Sequence, residues 1–230
     1  MAPCAERFNR IAQGYDRLNR ILSWGLDVGW RRRALTTLHR LQPNVSRVLD
    51  LATGTADFAL TAASFFPTAR ITGVDFSRDM LALAREKTRR AGCQDRVTFQ
   101  EGDAAALPCA DACFDVVLCG FGFRNFPRRR EALREVARVL APGGTAVVLE
   151  FFRPTNRLTG WLTDAWLGLA ARLWARDIVD DYDYLRRSIE RMETEDAFVA
   201  QAQEVGLTCV ERAFFHPACS CLLFRPAARS

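Results

Sequence analysis

The sequence predicts an α/β protein built on one mostly parallel sheet with helices on both faces. Three observations point there. Between residues 47 and 151, short aliphatic runs alternate with helical patterns of about 10–15 residues. Glycine, proline and small polar residues punctuate the junctions. The 230 residues are 49% apolar and 26% charged, an ordinary supply of core for a single domain, 1–230.

The elements follow in order. In the first forty residues Phe8, Ile11, Tyr15, Leu18, Ile21 and Leu22 recur mostly three or four apart, a helical spacing. Residues 1–44 are therefore a helical extension preceding the first strand. Strands are expected at 47–51, 71–74, 97–99, 114–119 and 145–151, with helices at 57–66, 77–90 and 129–140 between them. Ser77 can cap its helix, and Pro142-Gly143-Gly144 is expected to end the last one. Residues 156–190 form a helical insertion rich in tryptophan and arginine, read as a lid. A helix near 195–205 and two strand-like runs, 208–214 and 219–224, suggest a terminal antiparallel hairpin joining the sheet.

Composition excludes several classes. The net charge is +5, and Lys87 is the single lysine among 32 lysines and arginines. Such a bias is ordinary codon preference or an arginine face for an anionic partner. The runs Arg31-Arg32-Arg33 and Arg128-Arg129-Arg130 fit either; for the first, a solvated helix face is sufficient. No nucleic-acid-binding motif accompanies the charge, so no nucleic acid partner is expected. The eight cysteines form no C-x-x-C pair, and the two histidines, His39 and His216, are far apart, so no metal is expected. Reduced thiols acting as small apolar residues fit this pattern. The most apolar long stretch, 158–174, is interrupted by Asp164 and Arg172 and is too short to span a bilayer. The expectation is a cytoplasmic protein, at most peripheral on the cytoplasmic (inner) membrane surface.

A ligand of an open parallel sheet sits at the carboxyl ends of the strands. The first strand runs into Asp50-Leu51-Ala52-Thr53-Gly54-Thr55-Ala56-Asp57, whose small residues let backbone approach a ligand. An ordinary βα turn would look the same. Asp75 at the end of the second strand is placed to accept both hydroxyls of a ribose. Asp103, followed by Ala104, comes after the third strand and can accept from an adenine amino group. Together these outline a nucleoside pocket, unless each acid merely caps the following helix. A dinucleotide would need a full G-x-G-x-x-G for its pyrophosphate, and this loop has only Gly54. S-adenosylmethionine has no pyrophosphate and makes no such demand.

Longer stretches match a known family: Phe8-x-x-Ile11-Ala12-x-x-Tyr15-Asp16-x-x-Asn19-x-x-Leu22-Ser23, Trp30-Arg31-Arg32, the run 48–55, Gly73-Val74-Asp75-Phe76-Ser77-x-x-Met80-Leu81, Gly102-Asp103-Ala104-x-x-Leu107-Pro108, Phe121-Gly122-Phe123-Arg124-Asn125, Arg138-Val139-Leu140-x-Pro142-Gly143-Gly144, Leu149-Glu150-Phe151 and Tyr182-x-Tyr184-Leu185-x-x-Ser188-Ile189. The chain resembles the C-methyltransferases of menaquinone and ubiquinone biosynthesis, which methylate demethylmenaquinol and polyprenyl benzoquinols. The resemblance implies a Rossmann-like class I methyltransferase with a seven-stranded sheet. It implies S-adenosylmethionine held by Gly54, Thr55, Asp75, Asp103 and Ala104, and a catalytic set of Arg124, Asn125 and Tyr15. The implied acceptor is a prenylated quinol, demethylmenaquinol first, and a homodimer is compatible with it.

In that reading Arg124 stabilises a developing phenolate and orients a water that takes the proton, since a guanidinium stays protonated. Asn125 fixes the ring oxygen and Tyr15 closes over the substrate. The plain alternative is that Arg124 pairs with an acid and Asn125 caps the helix beginning near Pro127. The chain departs from the family at Asp27, where histidine is usual, and at Ala56, Gly120, Phe152 and the glycine-poor run 216–224. These departures bear on the acceptor more than on the methyl donor. They leave open a methyltransferase for another quinol, lipid or small molecule, or a cofactor-binding protein that has lost catalysis.

Overall fold

The computed structural model describes residues 16, 20, 21, 23–174, 179–216 and 219–227. Helix α1 (Leu26–Leu41) leads into strand β1 (Arg47–Leu51) and helix α2 (Asp57–Phe65). Next come β2 (Arg70–Asp75), α3 (Arg78–Arg90), β3 (Val97–Glu101) and β4 (Phe114–Gly120). A 3-10 turn, Phe123–Asn125, precedes α4 (Arg129–Val139) and β5 (Leu140–Phe151). Helices α5 (Arg157–Trp174), α6 (Val179–Glu190) and α7 (Glu195–Glu204) follow, and β6 (Leu207–His216) and β7 (Cys219–Pro226) close the chain.

The seven strands form one sheet in the order β3-β2-β1-β4-β5-β7-β6. The first five pair in parallel; β7 pairs antiparallel with β5 and β6, so the expected terminal hairpin is present. Val48, Leu49, Val116, Val117 and Leu118 are all buried, as strands covered on both faces must be. One face packs against α1 and α2 through Trp30, Leu35, Leu38 and Phe58. The other packs against α4 and α7 through Leu133, Val136 and Phe198. Ser77 caps α3, its Oγ accepting from the Met80 amide at 3.2 Å.

Strand β1 lies between β2 and β4, so the strand order reverses between β1 and β4. A crevice opens at the carboxyl ends of strands at such a point.

Two expectations need correction. Strand β5 begins at Leu140 rather than at 145: Leu140 pairs with Phe114, and a register shift before Val116 absorbs the Pro142-Gly143-Gly144 segment. Arg31 is buried and only Arg32 and Arg33 are solvated, so the arginine run is not a uniform outer face. Arg31 pairs with the buried Asp27 at 2.7 Å, and Ser23 donates to the same carboxylate at 2.9 Å. Aspartate at position 27 thus has an internal partner. Among the described residues the cysteines are free and no helix is long and apolar enough to cross a membrane.

Candidate active site

The loop after β1 is bent by three left-handed residues, Ala52 (φ 54°), Gly54 (φ 54°) and Ala56 (φ 71°). Two are alanines, where this conformation costs about 1–2 kcal/mol each. The bend turns the Gly54 amide toward β2, where it donates to Asp75 Oδ2 at 2.9 Å. Asp75 Oδ1 accepts from the Ser77 amide at 2.9 Å. A carboxylate offers about four lone-pair sites, so the group keeps capacity for a ligand hydroxyl. Burial raises the Asp75 pKa, opposed by the amides of Ser77, Gly54 and Phe76. Its expected place at the loop holds. The capping alternative does not describe it, because Ser77 performs that task.

Asp75 opens onto a cavity of about 210 Å³ bounded by Leu51, Ala52, Val74, Phe76, Asp103, Ala104, Asn125 and Arg128, among others. Its walls are mainly apolar, with carboxylates at two sides, the character of a nucleoside pocket. Asp103 Oδ1 accepts from the Ala105 amide at 2.9 Å, and Oδ2 pairs with Arg128 at 2.5 Å. Gly102 has no room for a side chain: a Cβ there would lie 2.9 Å from Val74. A smaller cavity adjoins, lined by Gly54, Asp75, Phe76, Met80, Phe121 and Asn125. Asn125 lies on both.

The predicted site residues separate into groups. Gly54, Asp75, Asp103, Ala104 and Asn125 come together around these cavities. Thr55 does not line either: its hydroxyl donates to Asp16 and accepts from Lys87 on the far side of the loop. Tyr15 lies outside the described residues. The half-buried Arg124, whose side chain is only 8% exposed, pairs with the fully buried Glu150 at 2.7 Å, while its backbone amide donates to the other Glu150 oxygen at 3.1 Å. It also donates to the Phe121 carbonyl at 2.8 Å and stacks on Phe121 and Phe151. Pairing with an acid was the plainer alternative for Arg124, and that contact is present.

Asn125 Nδ2 donates to the Phe121 carbonyl at 3.2 Å, and its Oδ1 accepts from Tyr184 at 2.8 Å. Helix α6 thus reaches the turn after β4. Tyr184 belongs to a segment that the sequence singled out without assigning it to the site. A second residue escaped notice. Asp50 is fully buried under the loop; Oδ2 accepts from Thr53 at 2.6 Å and from the Ala59 amide at 3.0 Å. Its Oδ1 has no partner among the described residues. Burial drives its pKa up to about 7 against the pull of these hydrogen bonds and Arg31. The position of an acid at the end of β1 was visible, but its depth was not.

The profile of the ubiE/COQ5 methyltransferase family matches residues 3–222. The chain belongs to that family. It is 42% identical over 204 residues to the demethylmenaquinone methyltransferase of Thermus thermophilus, covering 87% of this chain and 91% of the relative. It is 38% identical over 206 residues to the ubiquinone/menaquinone biosynthesis C-methyltransferase UbiE of Geotalea daltonii, covering 87% and 86%. Among solved structures, a putative S-adenosyl-L-methionine-dependent methyltransferase from Methanococcus maripaludis superposes with a TM-score of 0.71 at 18% identity, covering 96% of this chain and 94% of that one. The fold is that of the class I methyltransferases, and the protein is a methyltransferase.

Proposed function

We propose that this methyltransferase takes its methyl group from S-adenosylmethionine and places it on a ring carbon of a prenylated quinol, demethylmenaquinol first. The observation that carries the donor assignment is the geometry of Asp75, a buried carboxylate held by backbone amides at the edge of the cavity. Asp75 would hold the ribose hydroxyls, and Asp103 with Ala104 the adenine edge. Gly54 leaves room for the methionine part. The acceptor assignment rests on the family and on the names of its relatives.

The donor, when bound, supplies an electrophilic methyl on a sulfonium. The protein's part is to align the acceptor carbon with that methyl and to manage the proton lost from the quinol hydroxyl. Asn125 and Tyr15 remain the proposed catalytic residues, and Arg124, first read as one of them, is proposed instead as a positioning residue. The Glu150 pair refines their roles: Arg124 holds the 121–125 turn in place, and Asn125 with Tyr184 presents polar atoms to the ring oxygen. Asn125 can fix that oxygen because both of its own amide ends are held.

A membrane-resident acceptor asks for a way to the bilayer. On α5, Leu158 and Trp161 are 66% and 64% exposed, with Leu162 and Leu169 beside them. Trp24 touches Trp166 of the same helix at 5.9 Å and brings exposed Leu26 and Val28 into the neighbourhood. This surface supports peripheral contact with the inner membrane through amphipathic insertion. The quinone profile of a deletion strain tests the function. Accumulation of the desmethyl quinone, reversed by the intact gene, is expected; an unchanged profile would sink the assignment.

A further inference from the structure

The chain has one lysine, and it sits where three segments meet. Lys87 on α3 donates to Asp16 Oδ2 at 2.6 Å, to Thr55 Oγ1 at 3.2 Å, and to Asp57 Oδ1. Asp16 belongs to the N-terminal extension, Thr55 to the loop after β1, and Asp57 opens α2. Thr55 in turn donates to the second oxygen of Asp16, which closes a ring of hydrogen bonds. Arg31 approaches the remaining oxygen of Asp57 at 3.6 Å. Burial would raise the Asp57 carboxyl, but Arg31, Lys87 and Arg20 together hold it below the usual range.

Every other cationic side chain apart from the histidines is arginine. A guanidinium is a flat fork, suited to a carboxylate in its plane; an ammonium is a compact point with three divergent donors. Three acceptors converging on one nitrogen call for the ammonium. The cluster is also reachable by solvent: side-chain exposure is 28% at Lys87, 35% at Asp16 and 19% at Asp57. The Lys87 amine is therefore within reach of a soluble reagent.

We propose that Lys87 is a positioning residue that ties the N-terminal extension, through Asp16, to the methyl-donor loop, so that donor binding and this tether strengthen each other. The proposal rests on the donor site described above. Thr55 is the coupling point, because its neighbour Gly54 lies on the donor cavity while its own hydroxyl lies in the cluster. Lys87 does not line either donor cavity. Coupling of this kind is reciprocal in binding free energy. Cutting the tether should weaken donor binding, and bound donor should hold the tether closed.

A single lysine makes the test direct. Acetylation of Lys87 by an amine-reactive ester, followed by peptide mass spectrometry, reads how often its amine is released. Saturating S-adenosylmethionine should slow this labelling by about fivefold or more, a typical coupling factor. In Asp16→Asn, labelling should be faster and no longer slowed by donor, which separates coupling from simple shielding. In steady state, Lys87→Met and Lys87→Arg should both raise the donor KM by about fivefold or more, with the acceptor KM much less affected. Thermal melts identify a variant that fails to fold, and Asp16→Asn then carries the test. Unchanged labelling with bound donor, or full rescue by Lys87→Arg, would overturn the proposal and leave the methyltransferase assignment standing. If calorimetry finds no donor binding to the wild-type protein, both fall together.

Discussion

Glu150→Gln keeps the shape of a fully buried side chain and removes its charge. In the native protein Glu150 accepts from the Arg124 guanidinium at 2.7 Å, the Arg124 amide at 3.1 Å and the Phe151 amide at 2.8 Å. Glutamine cannot accept at all three positions, and Arg124 loses its counter-charge while only 8% of its side chain is exposed. Removing one partner of a buried pair costs about 3–5 kcal/mol, and Glu150→Gln should lie at the lower end because an amide oxygen at the Oε1 position still accepts from the Arg124 guanidinium and the Phe151 amide. Arg124→Met should cost a similar amount by stranding Glu150. The double variant should cost less than the sum, with a coupling of about 1–3 kcal/mol. Urea unfolding of the four proteins measures this, and single-turnover methylation of a short-chain demethylmenaquinol measures the chemistry. Turnover in the double variant should fall no more than about tenfold below wild type if Arg124 acts by holding the turn; a direct electrostatic donor would cost about 10²–10³. Additive stability losses near zero, combined with a 10³-fold loss in rate for Arg124→Met, would refute the positioning role.

Asp75→Ala should weaken S-adenosylmethionine binding by about 2–4 kcal/mol in calorimetric titration, since two buried charge-assisted hydrogen bonds are lost; unchanged affinity would remove Asp75 from the site. Tyr184→Phe should leave the fold intact and slow single-turnover methylation about fivefold to tenfold by freeing Asn125. Gly120→Ala should destabilise by about 1–3 kcal/mol, because a Cβ there would lie 2.9 Å from the Phe58 ring, and Phe58→Leu should recover part of it in thermal melts. Asp50 has a folded pKa raised to about 7 by burial, so the folded state holds its proton better than the unfolded chain. Its contribution to stability is therefore full below about pH 4 and is lost as pH rises through 7. Asp50→Asn should gain stability relative to wild type across that window, and parallel pH–stability curves would contradict the burial argument.

The order of strands and helices was legible because aliphatic runs and helical periods alternate cleanly from Arg47 to Val139. Where the pattern failed, tertiary pairing overrode local chemistry: Pro142-Gly143-Gly144 ends a helix in most contexts, but Phe114 recruits Leu140 into the sheet. The acids Asp75 and Asp103 were readable as residues at the ends of consecutive strands, and they do line one cavity, whereas Thr55 faces Asp16 and Lys87 instead. The partners were not. Nothing in Arg124-Asn125 announces Glu150, 26 residues away, or Tyr184 on a later helix. The run Arg31-Arg32-Arg33 gave no sign that its first member turns inward to Asp27 and Asp57. The need for glycine at position 120 follows from Phe58, whose ring fills the space a side chain would need.

The central claim is methyl transfer to a quinol ring carbon, and product analysis tests it most directly. Purified protein would be incubated with S-adenosylmethionine bearing a labelled methyl group and a short-chain demethylmenaquinol, and the product analysed by mass spectrometry and carbon NMR. One added methyl bonded to ring carbon, formed by wild type and lost in Asp75→Ala, is the expected result. Label found on oxygen, or no transfer from a donor that demonstrably binds, would contradict it.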